Sequence, residues 1–151
     1  MTRGLYTSEE RARRDATPWT VVQGVLAPLQ FLVFLVSLGL VARFLLTGDG
    51  YAAATVSVVV KTLVLLAIMV TGSIWEKAVF GRWLLAPAFF WEDVVSFGVI
   101  ALHLAYVGMI WSGAFTPAAE MACALAAYAA YLVNAGQFLR KLRLARLEAA
   151  A

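Results

Sequence analysis

Four long stretches of this chain carry almost no charge, and no other feature limits its fold as much. Residues 16–42, 94–119 and 121–139 contain no Asp, Glu, Lys or Arg, and between Asp49 and Glu76 the one charged residue is Lys61. A helix needs about 20 apolar residues to cross the hydrocarbon core of a bilayer. Only helices and closed barrels satisfy their backbone polar groups there. Each stretch meets that length. Thr17-Pro18 and Thr116-Pro117 each set a capping hydroxyl before a proline suited to the first helical position, and Thr47-Gly48-Asp49-Gly50 is turn chemistry. The expected fold class is an all-α integral membrane protein, a four-transmembrane-helix bundle with spans at about 19–46, 52–75, 92–112 and 117–139. Composition agrees: 63% of the chain is hydrophobic and 14% charged, against about a quarter charged in a soluble domain.

Charge sets the orientation. Arg3, Arg11, Arg13, Arg14, Lys77, Arg82, Arg140, Lys141, Arg143 and Arg146 fall on one side of the spans and Arg43 alone flanks the other. Lys and Arg crowd the cytoplasmic side of membrane proteins, so both termini and the central loop are expected there. A pI near 9.3 therefore reflects topology, and nucleic acid is not an expected partner. Residues 1–18 read as a cytoplasmic amphipathic segment in which Thr7-Ser8-Glu9-Glu10 forms a capping box. Residues 19–139 are the transmembrane domain and 140–151 a basic cytoplasmic tail. No cleavable signal is expected, because the first apolar stretch is too long for one. Residues 83–91 are too short to cross and too apolar for a free loop, so they are expected to lie in the headgroup layer or dip back into the protein, broken at Pro87. In the fourth span, Ala122, Ala126 and Ala130 recur at a spacing that favours close helix packing.

Polar side chains inside spans are costly and point to function. Counted at about 1.5 Å per residue, Gln30, Lys61 and His103 fall near the bilayer midplane. A second group gathers towards the basic end: Gln23, Glu76, Glu92, Asp93, Ser96, Asn134 and Gln137. Glu92, Ser96 and His103 share one face of the third span. Each also has a plain structural explanation. Acids in a first helical turn suit the helix dipole, Asn134 and Gln137 suit interhelical hydrogen bonds, and snorkelling is open to Lys61, although its stem falls short of the nearer surface. Cys123, the single cysteine, leaves no internal disulfide, and the single His103 leaves no pair of histidines for a haem.

The blocks Val58-Val59-Val60-Lys61-Thr62-Leu63, Trp75-Glu76-Lys77, Phe80-Gly81-Arg82 and Phe89-Phe90-Trp91-Glu92-Asp93 belong to a specific pattern, as do Leu5-Tyr6-Thr7 and Ala27-Pro28-Leu29-Gln30. The chain resembles the 3-vinyl (2-vinyl) bacteriochlorophyllide hydratase family of bacteriochlorophyll biosynthesis over nearly its whole length. The resemblance implies a hydro-lyase that adds water to the C3 vinyl group of chlorophyllide a or 3-vinyl bacteriochlorophyllide. It implies a redox-neutral reaction with no added cofactor, the substrate bringing its own magnesium. The resemblance also implies a bacterial inner membrane, cytoplasmic or intracytoplasmic and photosynthetic, with the lipid bilayer and other pigment-biosynthesis enzymes as the expected surroundings.

That chemistry needs an acid to protonate the terminal vinyl carbon and a base to take the proton of the attacking water. Burial against aromatic rings suits a carboxylic acid to the first task. Glu92 is the first choice of acid, with Asp93 and Glu76 next, and Asp93 suits the water. His103 is a candidate ligand to the substrate magnesium or acceptor of the water proton. Lys61 and Arg82 are candidates for the substrate propionate. The chlorin plane is expected among Trp75, Trp83, Phe89, Phe90 and Trp91, with Gln30, Ser96 and Asn134 as further contacts. Residue chemistry alone leaves two other classes open. One is a non-catalytic pigment carrier or assembly factor of a photosynthetic complex, and the other is a small transporter built around Lys61.

Overall fold

The structure is a computed structural model describing residues 4–151. Arg3, counted above with the basic end, lies outside the described residues together with the first two residues. All regular structure among the described residues is helical: α1 Ser8–Ala16, α2 Pro18–Thr47, α3 Tyr51–Phe80, α4 Phe90–Ser112 and α5 Pro117–Ala150. The last four are each long and apolar enough to cross a membrane.

The sequence signals act where they fall. The Thr7 hydroxyl accepts from the Glu10 amide at 3.1 Å and the Glu10 carboxylate accepts from the Thr7 amide at 2.8 Å, closing the capping box. Thr17 and Thr116 cap α2 and α5 through their hydroxyls, each before a proline. Gly48 ends α2 at φ 77 and Gly50 precedes α3 at φ 86. A side chain at either position would crowd the following carbonyl, which is why two glycines flank Asp49. Two helices extend past the expected spans. α3 runs through Glu76 and Lys77 to Phe80, and α5 continues as helix through the basic residues to Ala150.

α2 packs along α3 and α4 along α5, so the bundle is two hairpins laid side by side. α2 meets α5 and α3 meets α4 across the seam, while α1 lies against α3. The apolar core is narrow: Phe34 and Val41 of α2, Ala54, Val58 and Leu65 of α3, Val99 and Tyr106 of α4, and Met121, Ala124, Ala127, Tyr128 and Tyr131 of α5. The outward faces are apolar too, with Val21, Leu32, Val56, Leu63, Val133 and Leu139 well exposed, as suits a chain solvated by lipid. The interior holds the polar groups. The expected alanine stripe is out of phase, because Ala122 and Ala126 face outward. The alanines buried against the bundle are Ala124 and Ala127.

Residues 81–89 join the hairpins at the end of the bundle that also carries α1 and the end of α5. Gly81, at φ 79, closes α3 by donating its N–H to the Lys77 carbonyl at 3.0 Å. The segment then folds back over the helix ends, as one of the two expectations had it. Ala86 is fully buried and Phe89 nearly so, whereas Trp83 is exposed.

Candidate active site

Three carboxyl groups are buried at this basic end: Glu76 from α3 and Glu92 and Asp93 from the first turn of α4. Glu76 and Asp93 face one another across the seam, their side chains in hydrogen-bonding contact. The connecting segment supplies their backbone donors. The Leu85 amide reaches Asp93 Oδ2 at 2.7 Å and the Ala86 amide reaches Glu76. Leu85 does this at φ 62, a left-handed conformation that costs a residue with a Cβ about 1–2 kcal/mol. Oε2 of Glu76 is enclosed without an N–H or O–H donor. A hydrogen bond between two carboxyl groups requires one of them to carry its proton, so the pair is suited to holding a transferable hydrogen.

Glu92 has different company. Lys141 Nζ lies 3.7 Å from its carboxylate and donates to the Ala88 carbonyl at 2.6 Å. Asn134 donates to the Glu92 carbonyl at 2.9 Å, and the Ser96 hydroxyl lies 2.8 Å from the same oxygen and 3.0 Å from Asn134 Oδ1. Ser96 and Asn134 thus fix the start of α4 to α5, and Lys141 clasps both Glu92 and the connecting segment.

Aromatic rings wall the cluster. Phe89 lies between Trp75, at 5.5 Å, and Phe138, at 6.1 Å. Phe80 continues the wall to Tyr6, which stacks on it at 5.8 Å. Trp75 is fixed by its N–H to Thr20 at 2.9 Å. Burial pushes the Tyr6 phenol up from its ordinary value, and the Arg14 guanidinium opposes this in part. Arg13 donates to the Val79 carbonyl at 2.8 Å and Glu148 accepts from the Leu5 amide, tying α1 and the N-terminal arm to the same end. Between that arm and the connecting segment lies a cavity of about 260 Å³ lined by Gly4, Leu5, Glu10, Phe80, Pro87 and Ala88.

The structure therefore brings Glu76, Glu92, Asp93, Trp75, Phe89, Ser96 and Asn134 together. Trp83, Phe90 and Trp91 lie on the outer surface beside them. Arg82 is exposed on the connecting segment, its charge acting on Glu76. Gln30, Lys61 and His103 are buried deeper in the bundle, His103 ten residues along α4 from Asp93, or about 15 Å. Sequence reasoning missed Lys141, which it counted only towards orientation. Its place two helical turns from Asn134, on the same face, was the available signal. The Leu85 and Ala86 amides had none.

The model of the family described as 2-vinyl bacteriochlorophyllide hydratase matches residues 6–144. A curated protein named 2-vinyl bacteriochlorophyllide hydratase from Rhodobacter capsulatus is 67% identical over 149 residues, 99% of this chain and 86% of that protein. Its namesake from Cereibacter sphaeroides is 66% identical over 146 residues, 97% of this chain and 91% of that protein. No solved structure matches the chain. With the family pattern running through α1, all four long helices and the buried acids between them, this chain belongs to the 2-vinyl bacteriochlorophyllide hydratase family.

Proposed function

We propose that this chain adds water to the C3 vinyl group of chlorophyllide a or a 3-vinyl bacteriochlorophyllide, and that Glu76 and Asp93 carry the proton transfers. Family membership supplies the hydratase activity. The observation that carries the assignment of residues is the buried contact between two carboxyl groups from opposite hairpins.

The protonated member of the pair gives its hydrogen to the terminal vinyl carbon. The positive charge left on the adjacent carbon is spread by the conjugated macrocycle. Water adds there, and its surplus proton goes to the carboxylate member, so the pair ends with as many protons as it began. The net change is one water added and no electron moved, which calls for no cofactor beyond the magnesium already in the pigment. Trp75 and Phe89 offer faces for the ring to pack on, and Trp83, Phe90 and Trp91 offer a greasy approach from the bilayer. The connecting segment covers the acids, so it shifts aside for a tetrapyrrole to enter. Glu92, held by Lys141, serves as an anchor for that segment. The basic end faces the cytoplasm of a bacterial inner membrane, since Lys and Arg crowd it.

Purified protein given chlorophyllide a is expected to yield a product one water heavier. Glu76→Gln and Asp93→Asn each lose at least about 100-fold in turnover, the usual scale for general acid–base groups, and Glu92→Gln loses less. A pigment returned unchanged by the unaltered protein makes the chain a carrier. Full turnover in Glu76→Gln removes that residue from the chemistry.

A further inference from the structure

α5 does not stop where its apolar span stops, and two residues on one face of the extension hold two different segments. Lys141 donates to the Ala88 carbonyl of the connecting segment at 2.6 Å. Glu148, seven residues on and so on the same face, accepts from the Leu5 amide through both carboxylate oxygens, at 3.0 and 2.9 Å. The N-terminal arm, residues 4–7, is thereby laid over the aromatic wall of the acid site. Tyr6 stacks on Phe80 at 5.8 Å and tilts on Phe89 at 6.4 Å, with the Arg14 guanidinium 4.8 Å from its ring centroid. α1 itself is pinned, because Arg13 donates to the Val79 carbonyl at 2.8 Å. The backbone is extended at Thr7, the cap before α1, which gives the arm a hinge while α1 stays in place.

Away from the Tyr6–Phe89 contact, arm and connecting segment are held apart. The cavity of about 260 Å³ lies between them, with Gly4 and Leu5 on one side and Pro87 and Ala88 on the other. Phe89 is the ring common to both. It walls the acids between Trp75 and Phe138, and Tyr6 lies against it. The segment that covers Glu76 and Asp93 therefore lifts only once Tyr6 has left Phe80 and Phe89. The ties on the arm, the Glu148 hydrogen bonds and the contacts of a half-buried Tyr6, sit at the end of the bundle. Water replaces such ties readily, and segments held this way open locally. We propose that the N-terminal arm is the outer leaf of a gate over the Glu76–Asp93 pair, latched by Glu148, and that pigment reaches the acids after the arm lifts about Thr7. The connecting segment, latched by Lys141, is the inner leaf. This rests on the reading that the pair hydrates a bulky pigment, and it adds the device that admits it.

Bridging the arm to α5 in the full-length protein in nanodiscs tests this. A Cβ on Gly4 would lie 3.3 Å from Glu148 Oε2, so the thiols of Gly4→Cys/Glu148→Cys stand within reach of a one-carbon bis-methanethiosulfonate, which a reductant removes. The bridged protein is expected to hydrate chlorophyllide a at least about tenfold more slowly than the same preparation after reduction, as for an enzyme whose lid is held shut. The reagent on either single variant is expected to change nothing, and an equal loss there overturns the proposal. Undiminished turnover in the bridged protein overturns it too, and leaves pigment entering beside Trp83 and Trp91 with the arm in place. Failure of the two thiols to bridge, read by mass, also overturns it, since the arm then does not lie on α5. Pigment uptake, read by absorption, keeps the two readings apart. Unaltered protein that takes up chlorophyllide without hydrating it refutes the reaction, whereas uptake that the bridge does not slow refutes the gate.

Discussion

Leu85 is the residue on which the acid site turns most plainly. It adopts a left-handed backbone without being glycine, and in doing so aims its amide at Asp93. Strain of this kind persists where the surroundings hold it, and those surroundings are visible. Lys141 holds the Ala88 carbonyl and Glu92 together, and Asn134 holds the start of α4. Replacing Lys141 by Met leaves the Glu92 carboxylate and the Ala88 carbonyl without their donor. The Leu85 and Ala86 amides of Lys141→Met are then expected to exchange hydrogen at least about tenfold faster than in the unaltered protein, since losing such a bond costs about 1–3 kcal/mol. Hydrogen-exchange mass spectrometry on residues 81–89 reads this directly, and unchanged protection there discards the clasp.

At the scale of elements, the helices were legible because their ends are chemical signals. Thr17-Pro18 and Thr116-Pro117 start α2 and α5 where the hydroxyls and prolines dictate. Thr116→Ala removes the acceptor for the Ala119 amide and is expected to lower stability by about 1 kcal/mol, read as a lower melting temperature in detergent. An unchanged melting temperature shows that the α5 cap contributes nothing. The acids at the basic end were legible as a group, through their depth and spacing. Which two of them would meet was not, because the Glu76–Asp93 contact depends on how α3 and α4 rotate about their axes across the seam. Phase explains the alanines as well: Ala122 and Ala126 have the right spacing on the wrong face. The segment over the acids was readable as unable to cross the membrane, but the amides it supplies come from a backbone shape that composition does not encode.

The whole molecule inverts the soluble pattern, with apolar surface outside and polar groups along the seam between two hairpins. Such a seam sacrifices stability for groups that a folded protein does not need. Lys61→Met keeps the aliphatic stem and deletes an unpartnered amino group. Burying that nitrogen without a hydrogen-bond partner costs about 1–3 kcal/mol, and more when it is charged, whereas its contact with the Tyr131 ring returns about 0.5–2 kcal/mol. The variant is therefore expected to melt higher than the unaltered protein. A lower melting temperature shows that Lys61 serves the fold itself.

Hydration of chlorophyllide a in deuterium oxide, with the double variant Glu76→Gln/Asp93→Asn beside the unaltered protein, tests the central claim most directly. The unaltered protein is expected to give a 1-hydroxyethyl product with one deuterium fixed in its new methyl group, and the inserted, folded double variant to give none. Product forming at an undiminished rate in that variant means that the proton reaches the vinyl carbon from elsewhere.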